Sequence, residues 1–163
     1  MPSVPVLRPV RQIWSGENIA EEMARVNPSS MFPRLGFARI FGEFIAGHSL
    51  QVSQTRGGKR KDVELERLEA FAEVWLFCNR VRAPGWRITG RFLSFNEIVL
   101  FRACDKNEIG SSYQGVAGQL AEDRDTHFPG VSPHTGAWIS GYISGEHHDV
   151  SLGKGASCRS RHG

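Results

Sequence analysis

Apolar residues in the first part of the chain recur every three to four positions, the period of a helix that buries one face. Ile19, Met23 and Val26 form one such stripe. Ser15 stands where its hydroxyl can cap the first turn, and Trp14, ahead of the cap, can pack on Ile19 as a hydrophobic staple. Asn27-Pro28 closes this helix, because the proline ring disfavours helical backbone in the residue before it. A second helix is expected from about Met31, capped by Ser30, with Pro33 tolerated in its first turn and Gly47 as its stop. Phe37, Ile40, Phe41 and Phe44 supply its apolar stripe.

After a loop from His48 to Lys61, the spacing predicts a third helix from Val63 to about Arg80, capped by Asp62. Leu65, Leu68, Ala72, Trp75 and Cys78 give it a buried face. Its acids Glu64, Glu66, Glu69 and Glu73 cluster toward the start and Arg80 and Arg82 lie at the end, as the helix dipole favours.

Beyond Ala83-Pro84-Gly85 the period changes to two. Trp86, Ile88 and Phe92 fall on one side of an extended chain, and Arg87, Thr89 and Arg91 on the other. Glu97 to Cys104 is β-branched and apolar enough for an interior strand, and Asn96 marks a tight connection, so the pair reads as a hairpin. From Asp105 to Thr135 the pattern dissolves, with a short helix expected around Gln114 to Glu122. Gly136 to Ser144 recovers strand character, with Gly141 marking a bulge or a close backbone approach. The expected fold is a single α+β domain over residues 1–152, a helical N-terminal half packed on a small, mostly antiparallel sheet, followed by a disordered basic tail at 153–163.

Composition adds limits. A chain of 163 residues can bury a core without disulfides. Its three cysteines, Cys78, Cys104 and Cys158, are odd in number and form no CxxC pair, which favours free thiols in an intracellular, reducing compartment. The opening MPSVPVLRPVRQIW has two arginines and no acid, like an organelle presequence, but lacks the Ser-rich amphipathic pattern of one. No apolar run is long enough to span a bilayer, so no membrane span is expected. Net charge is +3, and 16 of the 20 cations are arginines, the group suited to bidentate phosphate contacts.

Two segments concentrate that charge. The stretch TRGGKRKD places Arg56, Lys59, Arg60 and Lys61 in one loop. It lacks the spacing of a nucleotide-cradling P-loop, and Asp62, Glu64 and Glu66 crowd the position a bound phosphate would need. What remains is a basic loop able to lie along a nucleic-acid backbone or an acidic protein, or a solvated loop balancing the acids behind it. Independently, Arg80, Arg82, Arg87, Arg91 and Arg102 face a single acid, Glu97, across the hairpin region. With Arg87 and Arg91 on the solvent side of a sheet, they would present forked cations to a phosphate chain; alternatively, charge protects an edge hairpin from aggregation.

His127, His134, His147 and His148 lie with Glu146 and Asp149 in the C-terminal part, but in no metal-binding spacing, so neither metal nor cofactor is expected. The order of two helices, a gap and an arginine-bearing hairpin, with IWSGEN, VNPSSMFPRLG and PGWRITGRF, resembles small ribosome-dependent ribonuclease toxins of the RelE/ParE type. Those chains are shorter, begin with a strand and have no counterpart to a helix over Val63 to Arg80, so no catalytic residue is carried over. The leading expectation is a non-catalytic or accessory binding protein contacting RNA, DNA or an acidic partner within a larger assembly, through Arg56, Lys59, Arg60, Lys61, Arg87, Arg91 and Arg102. The alternative is a small ribonuclease that sets arginines around a scissile phosphate and moves protons with a histidine or Glu97.

Overall fold

The structure, a computed structural model, describes residues 10–24, 32–54, 62–68, 73–81, 83, 85–109 and 113–150. Its centre is a seven-stranded sheet. The strands are β1 (Gln12–Ser15), β2 (Leu50–Ser53), β3 (Leu65–Leu68), β4 (Val74–Asn79), β5 (Trp86–Ser94), β6 (Glu97–Asp105) and β7 (His147–Asp149). In space they run β1-β6-β5-β4-β3-β2-β7. The meander from β3 to β6 is antiparallel, while β1 joins β6, β2 joins β3 and β7 joins β2 in parallel. Four helices accompany the sheet: α1 (Glu17–Ala24), α2 (Arg34–Ile45), α3 (Lys106–Ile109) and α4 (Gln114–His127).

This overturns the expected helical N-terminal half on a small, mostly antiparallel sheet. The sheet is mixed, helix and strand are about equal, and four of the seven strands precede residue 80. The largest correction is the expected helix from Val63 to Arg80, which is instead β3 and β4, paired antiparallel with Leu65 opposite Phe77. Spacings of three and seven residues suit a helix face, but they do not exclude strands. What decides is Val74–Asn79, six consecutive buried residues rich in aromatic and branched side chains, as an interior strand covered on both sides requires. Glu73 supplies the turn at φ 64°. The acids that looked like dipole partners serve the sheet: Glu64 accepts from the Gln51 amide and from Arg39, and Glu66 pairs with Arg80.

Residues around Ser15 are corrected too. Ser15 ends β1 rather than capping α1, whose first turn is closed by the Gly16 carbonyl accepting from the Ile19 and Ala20 amides. Gly136 to Ser144 is no strand but a 3-10 turn, Ile139–Gly141. There the two glycines let the chain fold on itself, and a β carbon on Gly136 would lie 3.0 Å from the Tyr142 ring. The stripe of α2 and its stop at Gly47 (φ 75°), the β5–β6 hairpin with Asn96 at φ 66°, and a helix beginning at Gln114 form where the pattern places them; α2 itself starts at Arg34 with Pro33 at its cap, not near Met31, and Ser30 and Met31 lie outside the described residues.

One side of the sheet is covered by α1 and α2. Ile19, Phe37, Ile40 and Phe44 pack there on Leu65, Trp75, Phe77, Ile88, Phe92 and Leu100, with Ile139, Tyr142 and Ile143 completing the layer. Phe44 meets Phe77 edge-on at 5.4 Å and Trp75 meets Phe92 edge-on at 5.5 Å, geometry favoured by the ring quadrupoles. The other side buries a smaller cluster, in which Leu68, Val74, Leu76, Cys78 and Cys104 meet Ile109, Tyr113 and Leu120.

Arg11 ties three segments of the first layer together. It is wholly buried and donates from Nε to the Ser144 carbonyl at 3.0 Å and from Nη1 to the carbonyls of Phe44 and His48 at 3.4 and 3.3 Å. Its guanidinium also lies 5.3 Å from the centre of the Phe44 ring. Burial brings its pKa down to about 10, so it stays charged at neutral pH, held by carbonyl dipoles. Arg11→Met strands those carbonyls in the interior and is expected to lower the unfolding free energy by about 3 kcal/mol. An unchanged urea midpoint would show that the contacts contribute nothing.

Candidate nucleic-acid interface

Strand β5 alternates, and its two sides have different fates. Ile88, Gly90 and Phe92 face α2, where Gly90 is obligatory because a β carbon there would sit 2.6 Å from the Val99 carbonyl. Arg87, Thr89 and Arg91 face the second side. Register then builds cross-strand rows, since directly paired residues share a side. Cys78, Arg87 and Cys104 make one row, Leu76, Thr89 and Arg102 the next, and Arg91 pairs with Val99 in the third.

The expectation that Arg87 and Arg91 face solvent is corrected. Each is only 4% exposed. Strand β5 is interior, not an edge, and α3, α4 and their cluster cover this side. The hairpin is therefore not an edge guarded by charge.

Burial leaves both guanidinium groups short of partners. Arg87 donates from Nη1 to the neighbouring Trp86 carbonyl at 2.8 Å, and its Nε has no partner. The Nε of Arg91 is also unpartnered. Burial and the adjacent Arg124 lower the pKa of Arg91, and Glu73 and Asp125 oppose that shift. Arg102, opposite Thr89, is exposed. It lines a cavity of about 440 Å³ together with Asn18, Glu21, Cys104 and Glu108. That cavity is mixed in charge, with two carboxylates facing one guanidinium.

Other arginines are neutralised. Arg39 binds Glu43 and Glu64, Arg67 binds Glu73 at 2.8 Å, Arg80 binds Glu66, and Arg124 binds Asp125. Among the described residues Arg87, Arg91 and Arg102 have no such carboxylate. They are neighbours on β5 and β6, on a side that also carries Glu66, Glu97 and Glu108. Arg56, Lys59, Arg60 and Lys61 lie outside the described residues.

Of the four C-terminal histidines only His127, the last residue of α4, belongs to an element on this side. His134 places Nε2 2.7 Å from the Gly141 carbonyl and meets Tyr142 edge-on, while His147 and His148 sit on the far edge strand β7. Burial lowers the pKa of His147. Among the described residues no three His, Cys, Asp or Glu side chains group as metal ligands. No helix among them is long and apolar enough to cross a membrane.

Two contributors to this side escape the pattern of the sequence. Arg124 enters from α4, whose position over the sheet is a tertiary matter. Trp14 belongs to β1 and, opposite Val99, projects from the same side as Arg91. Its neighbours Gln12 to Ser15 are too few to show a strand period. Comparison with family models, curated proteins and solved structures found no match.

The thiols flanking Arg87 are inert by the same burial. Desolvation raises Cys78 to about 11 and Cys104 to about 12, outweighing the nearby arginines. With so little thiolate at pH 8, both are expected to resist iodoacetamide in the folded protein and to react fully in denaturant. Peptide mass mapping reads this directly, and rapid native alkylation of either would contradict their placement.

Proposed function

We propose that this protein binds a nucleic-acid backbone through the exposed Arg102 of β6, as a non-catalytic or accessory component of a larger assembly. The observation that carries this reading is Arg102, exposed on β6 and in no salt bridge among the described residues, while Arg39, Arg67, Arg80 and Arg124 are paired. A phosphate accepts several N–H bonds from one guanidinium fork, which a lone lysine could not arrange. Arg102 is the exposed point of first contact.

Arg102→Ala should leave the unfolding midpoint unchanged, since the side chain is exposed. It should weaken RNA or DNA binding and reduce the slope of log affinity against log salt by about 0.7 for a single strand or about 0.9 for a duplex. Unchanged affinity and slope would defeat the nucleic-acid reading, and a partner recovered only among acidic proteins would replace it.

One architectural observation favours a second reading, the small ribonuclease. Strand β1 precedes α1 and α2, and residues once expected to form a helix from Val63 are strands, which removes two of the three differences from the ribonuclease toxins named above. Chain length remains different. Binding is preferred because the proton-transfer candidates are engaged: Glu97 accepts from Trp14 and Ser94, and His134 is committed to Gly141. Total RNA incubated with the protein, with and without chelator, is expected to stay intact. Reproducible fragments would establish the second reading instead.

A further inference from the structure

We infer that this protein has a small-molecule site at the open edge of β6, and that its ligand is a zwitterion of the amino-acid class, an ammonium and a carboxylate on an apolar body. Strand β1 covers only the Glu97–Leu100 part of β6, so from Phe101 onward that edge has no strand beside it among the described residues. The chain leaves β1 into α1 on one side of the sheet, α3 and α4 lie on the other, and between them opens the cavity of about 440 Å³. Small-molecule sites occupy about 300–1,000 Å³, and an open sheet edge offers backbone N–H and C=O groups to whatever fills the space.

The charges around this cavity carry the inference. Arg102 enters from β6, Glu21 from α1 and Glu108 from α3. Elsewhere arginines close onto neighbouring carboxylates, as Arg39 does on Glu43 and Glu64 and Arg67 on Glu73. Here neither carboxylate reaches Arg102 to form a salt bridge, so opposite charges stand apart across one gap. Glu108 is fixed in place, its Oε2 accepting from the Asp105 amide at 2.7 Å and leaving Oε1 for a ligand. The floor is apolar. Ile109 and Cys104 are buried there with Val116 half-buried beside them, and burial holds the Cys104 thiol protonated, its pKa about 12, with Glu108 and Arg102 acting on it in opposite senses.

A molecule bearing both signs bridges such a gap. Its ammonium donates to Glu21 and Glu108, its carboxylate takes the fork of Arg102, and its apolar group rests on Ile109 and Val116. A simple amine would satisfy the carboxylates but set its own charge against the guanidinium, and a simple acid would meet two carboxylates. The site does not depend on the nucleic-acid reading, although both draw on Arg102.

The test titrates the full chain with L-leucine, with isoamylamine, which lacks the carboxylate, and with isocaproate, which lacks the ammonium, by calorimetry and by the shift in unfolding midpoint. Leucine is expected to bind and to raise the midpoint, with each analogue about 10-fold weaker or more. Arg102→Gln should weaken leucine about 10-fold and leave isoamylamine no weaker. Glu108→Gln, whose side-chain oxygen still accepts from Asp105, should weaken leucine and isoamylamine but not isocaproate. Failure of leucine to bind, equal affinity for leucine and isoamylamine, or a leucine affinity indifferent to both substitutions overturns the inference. None of these outcomes bears on nucleic-acid binding, which the salt series with Arg102→Ala reads separately.

Discussion

A strand covered on both sides has no solvent to which it can send charge, and β5 carries two arginines under exactly that restriction. Everything on the second side of the sheet adjusts to it. Arg87 turns back to its own strand, taking the Trp86 carbonyl, and Arg91 lies within reach of Arg124 on one hand and of Glu73 and Asp125 on the other. Leucines at these two positions would remove the desolvation cost and pack at least as well. Their presence is therefore a departure from the arrangement that stability alone would favour, and such departures concentrate where a protein meets something else.

The two sides divide the work. Stability resides with α1 and α2, where aromatic rings from both helices and sheet interlock and where Arg11 joins the ends of three segments through carbonyls of Phe44, His48 and Ser144. The second side is held by fewer groups. From α4 only Leu120 is fully buried, with Val116 and Ala117 packed partly against it and Phe128, just past its end, meeting Phe101 edge-on at 6.4 Å. A cover with so little apolar anchorage has a smaller free energy of local opening than the helices opposite.

The sequence makes the local features readable and leaves the long-range ones hidden. Asn96 at a left-handed turn, the alternation of Ile88 and Phe92 with Arg87 and Arg91, and the stripe of Phe37, Ile40 and Phe44 are each set by neighbours within a few residues. They form as expected. Leu65, Leu68, Trp75 and Cys78 satisfy a helical period by coincidence, and only burial of Val74–Asn79 on both sides shows them to be strand residues. Likewise, alternation could assign Arg87 and Arg91 to one side, but not say that α3 and α4 would close over it. The parallel additions β1, β2 and β7 are short and come from distant parts of the chain, so no window of sequence contains them.

That last class of contact governs the candidate site most strongly. Trp14 shares a side with Arg91 only because Gln12 stands opposite Glu97 and Trp14 opposite Val99. A slip of one residue would send Trp14 into the α1–α2 layer and push Ile13 out, since side chains alternate with a period of two. Three contacts outside the ladder prevent the slip. The Gln12 amide donates to the Asn96 carbonyl at 2.7 Å, the Gly16 amide to the Leu100 carbonyl at 3.2 Å, and Arg11, one residue ahead of the strand, is locked in the core. Because Arg11 and Ile13 lie two apart and both point inward, the residue beyond them is committed outward. The exposed indole is thus a consequence of anchoring the guanidinium inside, and the same interaction that stabilises the fold sets which residues of β1 reach the surface.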